Sequence, residues 1–316
     1  MFTKMVSMYQ FNQIPSEAQI RKYLRRIVFG KNIYCPVCKT DEVYSSQGRY
    51  RCRKCRIRFS LLSHTWLSNS KLPLQRFWLI LWCWTTQIPV RQAVSLTRLS
   101  EPTIRLWYEE FRDHLPENKE VLEKLVQLDE AYFGGKKGRT LFMAKEINNE
   151  YGGRKLAYSI LPHANPVREE AWAFLQEYVM PESLLHTDGA KIYRGIDKWW
   201  PVEHQYDIHK KWEFELTSEI EGMFGVLRTF IRRMYHHVTA DKLPEVVGEF
   251  CFRFSHLRIS DQYTLLRRTR IPQPTLQAES QEVRLRKLQC RLFRISRRAF
   301  LYYPCAFSWC GRTESR

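Results

Sequence analysis

Acidic side chains are scarce in this 316-residue chain, which holds 33 Asp and Glu against 51 Lys and Arg, for a net charge of +18 and a pI near 9.6. That excess points to a polyanionic partner, nucleic acid first and an anionic membrane second. Long apolar runs are also missing. The longest, Phe77 to Trp84, is bracketed by Arg76 and Arg91 and is far too short to span a bilayer, so no membrane insertion is expected. The first 30 residues carry Lys and Arg without a continuous apolar stretch, and no secretory leader is expected. Nor does composition point to global disorder, because 44% hydrophobic content can fill a core. An intracellular protein keeps its thiols reduced, so nine cysteines ask for a metal rather than for disulfides.

Four of those cysteines stand in two pairs. Cys35-Pro-Val-Cys38 is followed by 13 residues and then by Cys52-Arg-Lys-Cys55. Each knuckle turns two sulfurs to one point, so the spacing predicts one structural Zn²⁺ on Cys35, Cys38, Cys52 and Cys55, with a hairpin across Gly48. Residues 1 to 60 hold 13 Lys or Arg against three acids, and the second knuckle is threaded with Arg49, Arg51, Arg53, Lys54, Arg56 and Arg58. A charge run is often only a solvated face. Around a ribbon in so basic a protein, phosphate contact is the better reading. Ahead of the ribbon, residues 15 to 28 read as a helix capped by Ser16, its stripe Ile20, Leu24 and Ile27 making it a packing support.

From Leu72 to Leu115 the pattern is helical. Residues 76 to 84 are apolar almost all round, which predicts a buried helix with Cys83 as ordinary core. Residues 89 to 99 and 103 to 112 then form two short helices around a break at Ser100-Glu-Pro102, the outline of a helix-turn-helix. Its DNA contacts would be Thr103, Arg105 and Arg112. Helical hairpins are common, and the neighbouring ribbon is what favours this reading over plain packing.

In Val126-Gln-Leu-Asp-Glu-Ala-Tyr-Phe-Gly-Gly-Lys-Lys-Gly138, an apolar run ends in Asp129. An ionised carboxylate there needs a cation, a hydrogen-bond network or a metal, although a lone strand-end Asp also suits a turn. Residues 182 to 187 repeat the shape and end in Asp188 followed by Gly189. Two such carboxylates at one sheet edge repel unless a divalent cation lies between them, and hard oxygen ligands select Mg²⁺ or Mn²⁺. Farther on, Ile220, Phe224, Leu227 and Ile231 recur at helical spacing, which puts Glu221 near a first turn and Arg228 two turns along the same face. Strand alternation should turn Glu130 away from such a site, and helical angle should turn Glu219 away.

Leu128-Asp-Glu-Ala-Tyr-Phe-Gly-Gly-Lys136, His186-Thr-Asp-Gly189, Ile220-Glu-Gly-Met-Phe224 and Tyr235-His-His-Val238 follow one another in an order that resembles a known family. They are similar to the DDE-type transposases of the ISXO-like insertion-sequence group and their eukaryotic relatives, the Merlin elements, over about residues 10 to 258. The resemblance implies an RNase H-like α/β domain in a multidomain α+β chain. Asp129, Asp188 and Glu221 would then hold two Mg²⁺ or Mn²⁺ ions, with Arg228 beside the site. The resemblance implies that water would cut one DNA strand at the element's end and that the freed 3′-hydroxyl would attack target DNA in line. The partner implied is double-stranded DNA, the terminal inverted repeats and the target, and joining two ends asks for more than one subunit. This chain has Ser218 where the prokaryotic branch carries Asn, and Arg228 where it carries Lys, a planar fork in place of a point charge.

The expected organisation is a helix and ribbon over 1–62, a helix-turn-helix region over 63–120, a catalytic domain over 121–258 and a basic, poorly ordered tail over 259–316. Localisation would be nuclear in a eukaryotic host and cytoplasmic, at the nucleoid, otherwise. Two rivals share these features. One is a catalytically inactive, transposon-derived zinc-ribbon DNA-binding protein, and the other a structure-specific nuclease that cuts without joining.

Overall fold

The computed structural model describes residues 14–116, 120–134, 138–147, 155–207, 216–256 and 265–266. Helix α1, Glu17–Phe29, begins with a reciprocal capping box: Ser16 Oγ accepts from the Gln19 amide at 3.3 Å, and Gln19 Oε1 accepts from the Ser16 amide at 2.8 Å. Its apolar stripe, Ile20, Leu24, Val28 and Phe29, is fully buried. The ribbon follows as β1, Val43–Ser46, β2, Arg49–Cys52, and β3, Arg58–Phe59, an antiparallel sheet in that order. Gln47 and Gly48 both take positive φ in the β1–β2 turn, which suits the twist of a tight hairpin. Tyr50 and Phe59 pair across β2 and β3 and pack their rings on Phe29.

Three helices come next: α2, Leu74–Thr85, α3, Val90–Thr97, and α4, Glu101–Asp113. The first buries Phe77, Trp78, Ile80, Leu81, Cys83 and Trp84, as its all-round apolar sequence requires. Helix α4 starts at Glu101 rather than at the expected Thr103. Pro102 is accommodated in the first turn, where its missing N–H leaves no bond unmade.

Residues 120 to 256 build a five-stranded sheet from β4, Leu125–Phe133, β5, Arg139–Ile147, β6, Leu156–Leu161, β7, Leu184–Asp188, and β8, Glu203–Asp207, in the order β6-β5-β4-β7-β8. The first three strands pair antiparallel, while β4–β7 and β7–β8 pair parallel. Helix α5, Arg168–Tyr178, makes the crossover into β7, and α6, Ser218–Tyr235, and α7, Leu243–Ser255, close the domain. This is the RNase H-like arrangement expected from the motif order.

Side-chain alternation separates the two faces. Val126, Leu128, Phe142 and Ala144 pack with Phe174 and Leu175 of α5. Ala131, Leu141 and Met143 pack on the opposite side with Ile220, Phe224 and Leu227 of α6. That second core runs on without a break through α2, α3 and α4 to α1 and the ribbon, so the segments expected as three domains share one apolar interior.

A buried polar cluster ties α7 to α2. Arg253 donates Nε and Nη2 to Glu249 Oε1 at 2.8 and 2.6 Å and donates Nη2 to the Trp84 carbonyl at 2.6 Å, with its guanidinium 4.1 Å over the Trp84 ring. A cation at the last carbonyls of α2 also suits that helix's dipole. At Gly248 an added Cβ would stand 2.8 Å from the Tyr158 hydroxyl, so a side chain there would displace the tip of that ring where α7 packs on β6.

Among the described residues no helix is long and apolar enough to cross a membrane. The expected basic tail lies outside the described residues except for Leu265 and Leu266, which are fully buried in the main core. The Gly-Gly-Lys-Lys turn after β4 also lies outside them at positions 135–137.

Candidate active site

The last ladder pair of the parallel strands β4 and β7 is Gln127 with His186. Two residues further along each strand stand Asp129 and Asp188, and β8 adds Asp207 opposite Asp188. The period of two gives these three carboxylates one face, the side of α6. Oxygens of Asp129, Glu130 and Asp188 approach within 4.8 Å of one another. The Glu130 amide donates to Asp129 Oδ1 at 2.8 Å, and the Ala190 amide donates to Asp188 Oδ1 at 3.1 Å.

Burial, then the Glu130 charge beside it, pushes the Asp129 carboxyl up to about 8, with Asp188 and Glu221 acting in the same direction. Glu130 is raised too, chiefly by burial. Like charges crowded in a partly dry corner hold their protons or take a cation, and hard carboxylate oxygens favour a divalent one.

Glu130 was expected to point away, and it does leave the strand on the face opposite Asp129. Its longer side chain nevertheless brings its carboxylate to Asp188, where β7 ends and no further strand intervenes. Below it Tyr193, fully buried, donates to Glu130 Oε2, and Tyr132 donates to Oε1 at 3.3 Å. Glu219 is turned aside as expected and pairs with Lys145 at 2.5 Å.

Glu221 is exposed in the first turn of α6, where Thr217 Oγ1 donates to its Oε1 at 3.2 Å. It affects Asp129 through its charge but does not join the close trio. Asp207, which sequence reasoning passed over, is 6% exposed and accepts the Leu216 amide at 2.7 Å, so it anchors the chain just before α6. The Ile220 amide also donates to Gln127 Oε1 at 3.0 Å, docking the same helix end on β4. Arg228 lies exposed on α6, two turns beyond Glu221.

In the ribbon, Sγ atoms of Cys35, Cys38, Cys52 and Cys55 lie within 4.8 Å of one another. Cross-strand pairing puts Arg51 between Tyr44 and Arg58 on one face, opposite the Tyr50 and Phe59 face that packs on α1. Arg53, Lys54, Arg56 and Arg58 are exposed, and Arg51 is half-buried.

In α4 the expected DNA contacts divide. Arg105 is exposed and bonded to Glu101 at 2.6 Å, while Thr103 shares a hydrogen bond with Ser100 at 2.8 Å. Arg112 does not face solvent, contrary to its expected role as a DNA contact. Its side chain is 7% exposed, donates to the Tyr235 hydroxyl at 3.1 Å and lies 3.6 Å from Glu245 and 3.7 Å from Glu249. Those carboxylates claim a cation that the sequence pattern left free.

Residues 121–255 match the ISXO2-like transposase domain, and residues 15–58 match the transposase zinc-ribbon domain. Together the matches span more than half of the chain. The chain carries an ISXO2-like transposase domain and a transposase zinc-ribbon domain. A protein of Halobacterium salinarum described as an uncharacterized protein in transposable element ISH50 is 24% identical over 224 residues, covering 63% of this chain and 76% of that protein. The acidic corner falls inside the first of these domains and the four clustered thiols inside the second, while residues 59–120 lie between the two.

Proposed function

We propose that this transposase cuts and joins DNA strands at a divalent-metal site built on Asp129 and Asp188, with Glu221 as the third carboxylate. The observation that carries the reading is the approach of Asp129, Glu130 and Asp188 within 4.8 Å at a strand end, a crowding of carboxylates that a bound cation relieves without protonating them. The donor set is all oxygen, which fits Mg²⁺ or Mn²⁺. Asp129, Asp188 and Glu221 would hold two such ions, whose chemistry would be to activate the attacking oxygen and stabilise the leaving one in an in-line displacement. Glu221 stands on the open side of the site, held by Thr217. Arg228 offers its guanidinium to a phosphate from the same helix.

The four ribbon thiols fit a single structural Zn²⁺. Sulfurs bound tetrahedrally at about 2.3 Å stand about 3.8 Å apart, and the Cys35–Cys55 and Cys38–Cys52 sulfur pairs lie at 3.4 and 3.5 Å. Arg51, Arg53, Lys54, Arg56 and Arg58 supply phosphate contacts on the ribbon. Thr103 and Arg105 supply what α4 contributes. The DNA partners are the element's terminal repeats and the target, engaged by more than one subunit because two ends are joined.

A second reading has one observation in its favour: Glu221 stands outside the close carboxylate trio, as a site that no longer turns over would allow. Labelled terminal-repeat DNA incubated with Mg²⁺ or Mn²⁺ separates the two. Cleavage and joining by the wild type, both lost in Asp129→Ala, support catalysis. Equal binding without cleavage by either protein leaves a zinc-ribbon DNA binder, and cleavage without joining points to a nuclease.

A further inference from the structure

Helix α1 was expected to be a packing support, and one side of it is. Ile20, Leu24, Val28 and Phe29 are buried, Tyr23 stands edge-on to Trp78 of α2 at 5.4 Å, and Phe29 meets Tyr50 and Phe59 of the ribbon. These contacts fix the helix's rotation, so its other side is committed to solvent. That side carries Arg21, Lys22, Arg25 and Arg26, and Lys31 follows the helix end, all of them exposed. Arg21 pairs with Glu17 at 3.5 Å. Among the described residues no carboxylate lies within 4.0 Å of Lys22, Arg25, Arg26 or Lys31. These four side chains and Gly30 line one shallow surface depression.

Folding does not call for this arrangement. Cations three and four residues apart on a helix repel one another. The helix dipole accounts for Arg26 and Lys31 near the C-terminus but not for Lys22 and Arg25 in the middle. The opposite distribution occurs on α4. Its outward residues include Glu101, Glu109, Glu110 and Asp113, its exposed Arg105 is tied to Glu101, and Arg112 is withdrawn into the core. A phosphate backbone approaching α4 meets mainly carboxylates beyond its first turn, whereas one approaching α1 meets cations with no carboxylate partner among the described residues.

We infer that the exposed side of α1 is a phosphate-contacting surface for double-stranded DNA, formed by Lys22, Arg25, Arg26 and Lys31. It is separate from the ribbon's own basic side, which lies on the sheet face away from α1. The inference takes its partner from the transposase reading. The contact is to backbone oxygens, so it adds affinity without reading sequence.

The test uses the full chain with zinc bound. Binding to a terminal-repeat duplex and to a scrambled duplex is followed by fluorescence anisotropy over a salt series. The proteins are the wild type, Lys22→Gln/Arg25→Gln/Arg26→Gln/Lys31→Gln, the charge-keeping Lys22→Arg/Arg25→Lys/Arg26→Lys/Lys31→Arg, and Arg105→Gln. Circular dichroism and zinc content establish that each is folded. The neutral variant should lose affinity equally for both duplexes, and its log–log salt slope should fall by about 3.6, at about 0.9 per phosphate contact. The charge-keeping variant should bind like the wild type, and Arg105→Gln should change binding less than the neutral variant does.

Unchanged affinity and slope in a folded neutral variant would overturn the α1 assignment and leave the transposase reading intact. So would a loss confined to the terminal-repeat duplex, because that is base readout. Wild type that binds neither duplex at low salt, or binds only vesicles of phosphatidylserine, would bring down the assignment together with the reading beneath it.

Discussion

The hydroxyl of Tyr193, fully buried on the α5 side of the sheet, donates to the carboxylate of Glu130. A phenol sealed in apolar surroundings keeps its proton, and burial raises the Tyr193 pKa well above the ordinary value. The hydrogen bond therefore has a fixed direction, and it aims Glu130 at Asp188. Partners of this kind tune metal ligands from behind. Tyr193→Phe should weaken Mn²⁺ binding by about 10 to 100-fold, measured by isothermal titration or by electron paramagnetic resonance of free Mn²⁺. Glu130→Gln should weaken it at least as much. Equal affinities in all three proteins would show that Glu130 is a bystander to the ion.

Asp129 links this site to pH. In the unfolded chain its carboxyl titrates near 3.8, and in the folded, metal-free protein near 8. Between those values the folded protein holds a proton that the unfolded chain has released, so stability falls as pH rises from about 4 to about 8. Asp129→Asn should flatten that slope in denaturant titrations without metal. Added Mn²⁺ should stabilise the wild type increasingly as pH rises through the same window, since the ion competes with the proton.

The parts written in local spacing were the most legible. Two C-x-x-C pairs need only a hairpin between them to converge, and apolar runs ending in Asp129 and Asp188 need only parallel register to bring those acids together. Helices α1 to α4 and α6 follow apolar periodicity to within a few residues. Partners distant in the chain were harder to read. Arg112 resembles any surface cation until Glu245 and Glu249 fold against it, more than 130 positions later. Glu130 obeys alternation, yet its length defeats the inference drawn from it. Asp207 has no sequence signal beyond a polar residue at the end of a strand, and its role depends on the Leu216 amide arriving from across a loop.

Glu249 is the hub of the polar cluster between α7 and the N-terminal helices. Its carboxylate accepts from Arg253 and Tyr235 and lies 3.7 Å from Arg112, with its side chain wholly buried. Removing its charge takes from Arg253 the carboxylate that it bonds twice, and leaves Arg112 in the interior beside the partly exposed Glu245 and Glu109. Such a loss typically costs about 3–5 kcal/mol. Glu249→Gln should lower the stability of the whole unit by that amount in urea titrations. Because α2, α4, α6 and α7 share one core, tryptophan fluorescence and helix content should be lost in one transition; two separate transitions would show that the N-terminal helices fold apart from the sheet.

The ribbon's attachment is of another kind. Its strands are short, and its apolar contact with the main body rests on a few side chains, chiefly Tyr34, Tyr50 and Phe59 against Phe29. So small a sheet cannot hold itself without a staple, and four converged thiols provide one only when a metal joins them. One Zn²⁺ per chain is expected on displacement with a mercurial and a colorimetric indicator. Cys52→Ser, or a strong chelator, should open residues 31 to 60 to protease while the sheet and α2 to α7 stay protected. DNA affinity should fall at the same time, because the ribbon arginines lose their fixed geometry. A chelated protein whose ribbon resists protease as well as the untreated one would show that packing on Phe29, and not the metal, holds the ribbon together.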